Sequence, residues 1–258
     1  MKKLLSCILA AALSVTLFTS CGNQDASTNS DSKGQLVMAT EAGFAPYEYI
    51  EGGKVVGIDV DIANEIAKEM GKELVIKDMD FTNALAAAQN GKADFAAAGI
   101  SITPERLETM DFTIEYATSK QVVVVKSGDN SVTSEESLSE KVIGVQAGTT
   151  GDLVYGDKEN PVQPKELKSY KKYSLAADDL KKGRIDCIVM DELPAKLLVE
   201  ANGGELEISN TELFTDAYGF AIKKGNTELQ QAMNKVLQRL MDEGKIEEFT
   251  EKHVKASL

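Results

Sequence analysis

The sequence predicts an α/β fold built as two similar lobes. Short apolar strands alternate with amphipathic or Ala-rich helices along most of the chain, which favours layered, largely parallel sheets. An order of helix, Gly stop, basic residue, Asp and strand also occurs twice. It runs through Leu85 and Asn90-Gly91-Lys92-Ala93-Asp94-Phe95, then again through Leu180 and Gly183-Arg184-Ile185-Asp186-Cys187. Common helix-stop chemistry alone can give such an echo; two lobes facing each other give it too. At 258 residues the chain is long enough for two lobes with cores of their own.

The first residues stand apart from this pattern. Lys2 and Lys3 precede an apolar run, Leu4 to Phe18, that is short for a membrane span, and Thr19-Ser20 are small residues before Cys21. This is the layout of a secretory signal over residues 1–20. A cysteine directly after small residues resembles a bacterial lipobox, although Phe18 stands where leucine is usual. Cys21 is therefore the expected lipid attachment site, and the alternative is an ordinary signal followed by a free cysteine. Residues 21–34 are rich in Ser, Asn and Asp without an apolar period, as a flexible tether between anchor and body would be.

The body then reads element by element. Gln35 to Thr40 is a strand, and Tyr47 to Ile58 a hairpin turning at Gly52-Gly53. Asp59 to Met70 is a helix, with Ile62, Ala63, Ile66, Ala67 and Met70 on one face and Gly71 as its stop. Leu74 to Lys77 is a strand, Asn83 to Asn90 a helix, Asp94 to Ala98 a strand. Gln121 to Lys126 is strongly β-prone, and Ser127 to Ser131 marks a boundary. The second series has strands at 142–146, 166–170 and 185–190, and helices from Thr150, over 175–182 and over 192–201. A strand at 217–223 and helices over 227–242 and 245–252 close the chain.

Composition narrows the partners. The net charge is −13, and becomes −15 once Lys2 and Lys3 leave with the signal. So acidic a body repels nucleic acid and anionic lipid, so no nucleic-acid partner is expected and the membrane is reached only through the lipid anchor. With one histidine, His253, no Ser-His-Asp system and no histidine metal site is expected, nor any cofactor. Of three cysteines only Cys187 lies in the body, in an apolar run, where a buried inert thiol is expected.

The residues that carry chemistry sit just past strand ends, where open α/β sheets bind ligands. The segment Gly99-Ile100-Ser101-Ile102-Thr103-Pro104-Glu105-Arg106 follows a strand and opens a helix, with Thr103 as N-cap and Pro104 at its first position. Gly99 permits close backbone approach, and Arg106 offers a planar fork for a carboxylate. Other strand ends bring Glu41 and Phe44, Phe81, Gln146 with Thr149 and Thr150, and Asp191. Each has a structural reading: Asp191 as the N-cap of helix 192–201, Phe44 and Phe81 as core, Thr149-Thr150 as a cap. Together they supply what an α-amino acid zwitterion needs, namely a forked cation, hydroxyls, an anion and apolar walls.

With those residues in view, residues 35 to 254 resemble the solute-binding protein family 3 of ABC transporters. The matching segments are ATEAGFAPYEY (39–49), GIDVDIANEIAKEMG (57–71), MDF (79–81), ADFAAAGISITPER (93–106), VIGVQAGTT (142–150) and GRIDCIVMD (183–191). The resemblance implies a type II periplasmic-binding-protein (Venus-flytrap) fold with two crossing hinge strands, near Val122–Val125 and Tyr218–Ile222. Lobe 1 is then expected over 35–124 and 217–258, and lobe 2 over 125–216. It implies that Arg106 binds the ligand α-carboxylate with Ser101, Thr149 and Thr150 assisting. Asp191 and carbonyls near Ala98 and Gly99 would bind the α-ammonium. Phe44 and Phe81 would flank the side chain, with Glu41 near its tip. Gln146, where some members carry a basic residue, argues against an acidic ligand.

The expected function is that of a lipid-anchored, extracytoplasmic monomer that captures a polar, cationic L-amino acid such as arginine and delivers it to ABC permease subunits. Glutamine or cystine is the alternative ligand. Two other classes are weighed against it. A dehydratase on the same fold would need an acid–base partner for Glu41, and none is evident; a receptor sensor domain would need a following membrane span or kinase region.

Overall fold

The computed structural model describes residues 34–257. The signal peptide, the tether and Cys21 therefore lie outside the described residues. Among the described residues, no helix is long and apolar enough to cross a membrane.

The first sheet is laid down by β1 (Gln35–Thr40), β4 (Glu73–Asp78), β5 (Phe95–Ala96), β6 (Met110–Phe112) and β12 (Ala221–Lys223), in the order β4-β1-β5-β12-β6. β1 pairs in parallel with β4 and β5, as strand–helix–strand connections require. Between β1 and β4 lie the hairpin β2 (Tyr49–Glu51) and β3 (Lys54–Val56) and helix α1 (Ile58–Glu69). Helix α2 (Phe81–Gln89) precedes β5, and α3 (Pro104–Thr109) follows it. Ile62, Ala63 and Ile66 of α1 pack with Leu36 and Met38 on one face of the sheet. Ala84 and Ala88 of α2 pack with Ala39 and Ala96 on the other. β5 is shorter than the expected strand 94–98: Ala97 still donates to the Ala39 carbonyl at 3.0 Å, but Ala98 already lines the cleft.

The second sheet comprises β7 (Ala117–Lys126), β8 (Val142–Gln146), β9 (Glu166–Tyr170), β10 (Cys187–Asp191) and β11 (Leu206–Tyr218), in the order β11-β7-β10-β8-β9. A 3-10 helix (Glu135–Glu140) and α4 (Thr150–Gly156), α5 (Tyr173–Lys181) and α6 (Glu192–Ala201) cover it. The run Val122–Val125 explains itself here. Val122 and Val124 face Ile188, Ala176 and Ala195, whereas Val123 and Val125 face Ile143, Val189 and Tyr155. A strand buried on both faces is apolar at every position. Cys187 is likewise a buried free thiol, its pKa pushed by burial to about 12. The chain ends in α7 (Thr227–Asp242) and α8 (Lys245–Ser257), which pack on α1.

The chain passes between the sheets twice. It leaves β6 for β7 through residues 113–116 and returns from β11 to β12 through Gly219 and Phe220. The sequence expectation put the first crossing at Val122–Val125; that run instead lies mid-sheet, paired with β10 on one side and β11 on the other. The expected strand 217–223 is two strands, broken where the chain changes sheet.

Candidate functional site

The ends of β1, β5, β8 and β10 converge on one cleft between the two sheets. Its walls carry all eleven residues expected from the sequence: Glu41, Phe44, Phe81, Ala98, Gly99, Ser101, Arg106, Gln146, Thr149, Thr150 and Asp191. Glu48 completes the lining and was not expected.

Arg106 is set by its helix. Thr103 caps α3 by accepting the Arg106 N–H at 3.3 Å, and Pro104 opens the first turn. The guanidinium is 6 % exposed. Nη1 donates to the Ser101 carbonyl at 2.6 Å and Nη2 to the Gly148 carbonyl at 2.8 Å, so the fork spans both sheets. These bonds use only part of its donors. The Phe81 ring lies 5.6 Å from Cζ and shields the cation. Burial pulls the pKa of Arg106 down to about 10, while Asp216 and Asp191 favour the charged form. It stays cationic at neutral pH.

Asp191 ends β10 and heads α6, yet its side chain makes no capping bond. It accepts instead from the Tyr218 hydroxyl. The cap reading of Asp191 thus gives way to one in which the carboxylate faces the cleft. Burial raises its pKa to about 6, and nearby Asp216 adds to the rise. Asp216 in turn collects the Gln121 amide at 2.9 Å and the Thr150 hydroxyl at 2.7 Å.

Gly99 stands where the backbone must come closest. Its φ is +53°, and a Cβ there would lie 2.7 Å from the Phe44 ring. Its N–H donates to Asp59 at 3.1 Å, and Tyr116 donates to the other oxygen of Asp59 at 2.5 Å. Burial lifts the Asp59 pKa to about 6 against those two bonds. Phe44 stacks with Tyr47 and Tyr173, with centroids 6.0 and 5.9 Å away.

Two more carboxyl groups line the cleft. Glu41 is 2 % exposed. Its Oε2 accepts from Gln146 Nε2 at 3.0 Å, and Lys172 Nζ lies 3.0 Å from its Oε1 as an ion pair without hydrogen-bond alignment. Gln146 also donates to the Lys171 carbonyl at 2.9 Å, and Lys171 pairs with Asp80 at 2.9 Å. Lys172 escaped sequence reasoning because it sits in a Lys-Lys run ahead of a helix, where a solvated surface is the ordinary expectation. Its pKa is raised chiefly by its pairing with Glu41. Glu48 escaped because an acid in a hairpin is ordinarily read as facing water. The only signal was its place between Tyr47 and Tyr49, and the turn Phe44–Glu48 points it inward.

The profile of the bacterial extracellular solute-binding proteins, family 3, matches residues 36–256. The chain belongs to this family. It is therefore a solute-binding protein of the mixed α/β, two-lobe type, in a family that works outside the cytoplasm. Its relatives include the arginine-binding extracellular protein ArtP of Bacillus subtilis, 30 % identical over 98 % of each chain. Among solved structures it resembles the ABC transporter substrate-binding protein AbpA from Streptococcus pneumoniae bound to L-arginine. That match has a TM-score of 0.81 at 37 % identity and covers 87 % of this chain and 96 % of that one. An ancestral arginine-binding protein bound to glutamine is similar at a TM-score of 0.78 and 37 % identity, over 85 % and 97 % of the two chains.

Proposed function

We propose that this solute-binding protein captures a cationic L-amino acid, arginine first among them, and presents it to the permease subunits of an ABC importer. The observation that carries the reading is the polarity of the cleft. A buried guanidinium, Arg106, and three buried carboxyl groups, Asp191, Glu41 and Glu48, line the same cleft. Arg106 takes the ligand α-carboxylate in its fork, assisted by Ser101, Thr149 and Thr150. Asp191 takes the α-ammonium, together with the carbonyls of Ala98 and Gly99. Phe44 and Phe81 flank the side chain, where a guanidinium over an aromatic face gains about 0.5–2 kcal/mol. Arginine-bound relatives of similar fold support the choice of ligand.

The proposal extends to the whole chain. Residues 1–20 direct secretion, Cys21 carries a lipid, and residues 21–34 tether a monomeric body to the membrane. The lobes turn about residues 113–116 and 219–220, so that ligand contacts from both exist together only when the cleft is shut. Cleft carboxyls serve recognition, and no reaction is assigned to them.

Calorimetric titration of ligand-stripped residues 22–258 with the common amino acids and cystine tests the reading. Saturable binding of arginine and lysine, with glutamine and cystine weaker, is expected. Tight binding of glutamine or cystine alone would overturn the cationic ligand. No binding of any would overturn the amino-acid assignment.

A further inference from the structure

Thr150 and Asp191 line the cleft, and the structure joins them through two residues that do not, Asp216 and Gln121. Asp216 is half-buried on β11. Its Oδ2 accepts both the Thr150 hydroxyl at 2.7 Å and the Gln121 amide at 2.9 Å. Gln121 is buried, stands opposite Asp191 in the β7–β10 ladder, and its side chain also bonds Asp191. Two donors from different elements thus meet on one carboxylate oxygen. A hydroxyl has a single proton, so the bond to Asp216 fixes the rotamer of a residue in the cleft wall. The second donor ties the same acid to a carboxylate of that wall, and such a network holds its members more firmly than isolated pairs do.

From this chain of bonds, and resting on the amino-acid reading above, we propose that Asp216 is a positioning residue for the part of the ligand that every amino acid shares. It acts through Thr150 on the side of the α-carboxylate, and through Gln121 and Asp191 on the side of the α-ammonium.

The charge of Asp216 reaches the same end of the cleft. Arg106 of α3, Asp216 and Tyr218 of β11, Tyr173 of α5, and Tyr47 and Glu48 just before β2 face Asp191. Burial, and after it the charge of Asp216, raises the proton affinity of Asp191. The same charge favours the cationic form of Arg106. An Asp191 relieved of Asp216 would ionise at lower pH. Because Asp191 holds the ammonium only when ionised, the loss of affinity in acid would then move to lower pH as well. Packing alone gives no such coupling.

The test is titration of arginine and glutamine into the wild-type protein, D216A, D216N and T150V between pH 5 and 8. D216A leaves two donors without their acceptor and should weaken both amino acids alike, by about tenfold at pH 7.5. D216N keeps an oxygen for those donors and removes the charge. It should bind more tightly than D216A at pH 7.5, and its fall in affinity with acid should come about half a pH unit or more below that of the wild type. T150V should weaken both ligands while its acid fall stays where the wild type has it. A D216N profile that coincides with the wild-type profile would overturn the proposal, and this arm decides whether or not D216A folds. An equal displacement in T150V would overturn it too, since the charge of Asp216 would not be its source. So would D216A binding as the wild type does, or a loss in D216A confined to one of the two ligands. A wild-type protein that binds neither amino acid would instead overturn the reading on which the proposal rests.

Discussion

The two ends of the cleft are built on opposite plans. At the end proposed to meet the α-carboxylate and α-ammonium, the charged groups are held in place by the protein itself. Arg106 is bound to two carbonyls and covered by Phe81, and Asp191 is bound by Tyr218. Elsewhere in the lining Glu41 is tied to a half-exposed lysine from the opposite sheet, and Glu48 meets another carboxyl group, that of Asp59. The first end is preorganised for what every amino acid shares. The second would be where one amino acid is told from another.

Truncating the fixed end should cost most and discriminate least. R106A should weaken arginine and glutamine alike by a hundredfold or more, in line with about 2–5 kcal/mol for removing one partner of a buried charge pair. Unequal losses in a titration would show that Arg106 reads the side chain instead. D191N should follow, with a loss of about ten- to a hundredfold for every ligand by the same principle, and the ligand methyl ester should be no better tolerated.

Acid should set affinity and stability against each other. Asp191 must be ionised to hold an ammonium, so affinity for every ligand should fall as pH drops through about 6. Ligand-free stability should move the other way. Asp59 and Asp191 both bind protons more tightly folded than unfolded, at about 6 against the usual carboxylate value of 3.8. The folded state therefore gains as pH falls from above 6 towards that value. Melting scans at pH 5 and 7.5, with and without arginine, separate the two effects; parallel shifts would contradict the assignment of Asp191 to the ligand. The smallest effect is expected from K172M. The lysine side chain is 40 % exposed, so water screens part of its pair with the buried Glu41. Freeing Glu41 should raise arginine affinity a few-fold and leave glutamine unchanged.

The sequence made the parallel strands, the helices and the converging strand ends legible, because apolar period and Gly stops are local signals. It hid β6 and β11, both edge strands. β11 is a polar, half-buried ribbon with two register shifts, and no alternation survives in LEISNTELFTDAY. It also misplaced the first crossing. An apolar run such as Val122–Val125 shows that a strand is buried, not which sheet it joins. At the site, residues that follow strand ends were found by position, whereas Glu48 and Lys172 lie in a hairpin and a helix approach whose partners come from far along the chain. Whether an acid is paired depends on those distant partners, and no local pattern encodes it.

Tyr218 ties chemistry to movement in one residue. Its hydroxyl binds Asp191, its backbone bridges Ser101, and Gly219 and Phe220, the return crossing, follow it at once. The tyrosine bound to the proposed amino-group acceptor is also the last fixed point before the fold turns from one lobe into the other. An importer that inspects only the outer contour of this protein would thus be reading, second-hand, the ionic state of a carboxylate it never touches.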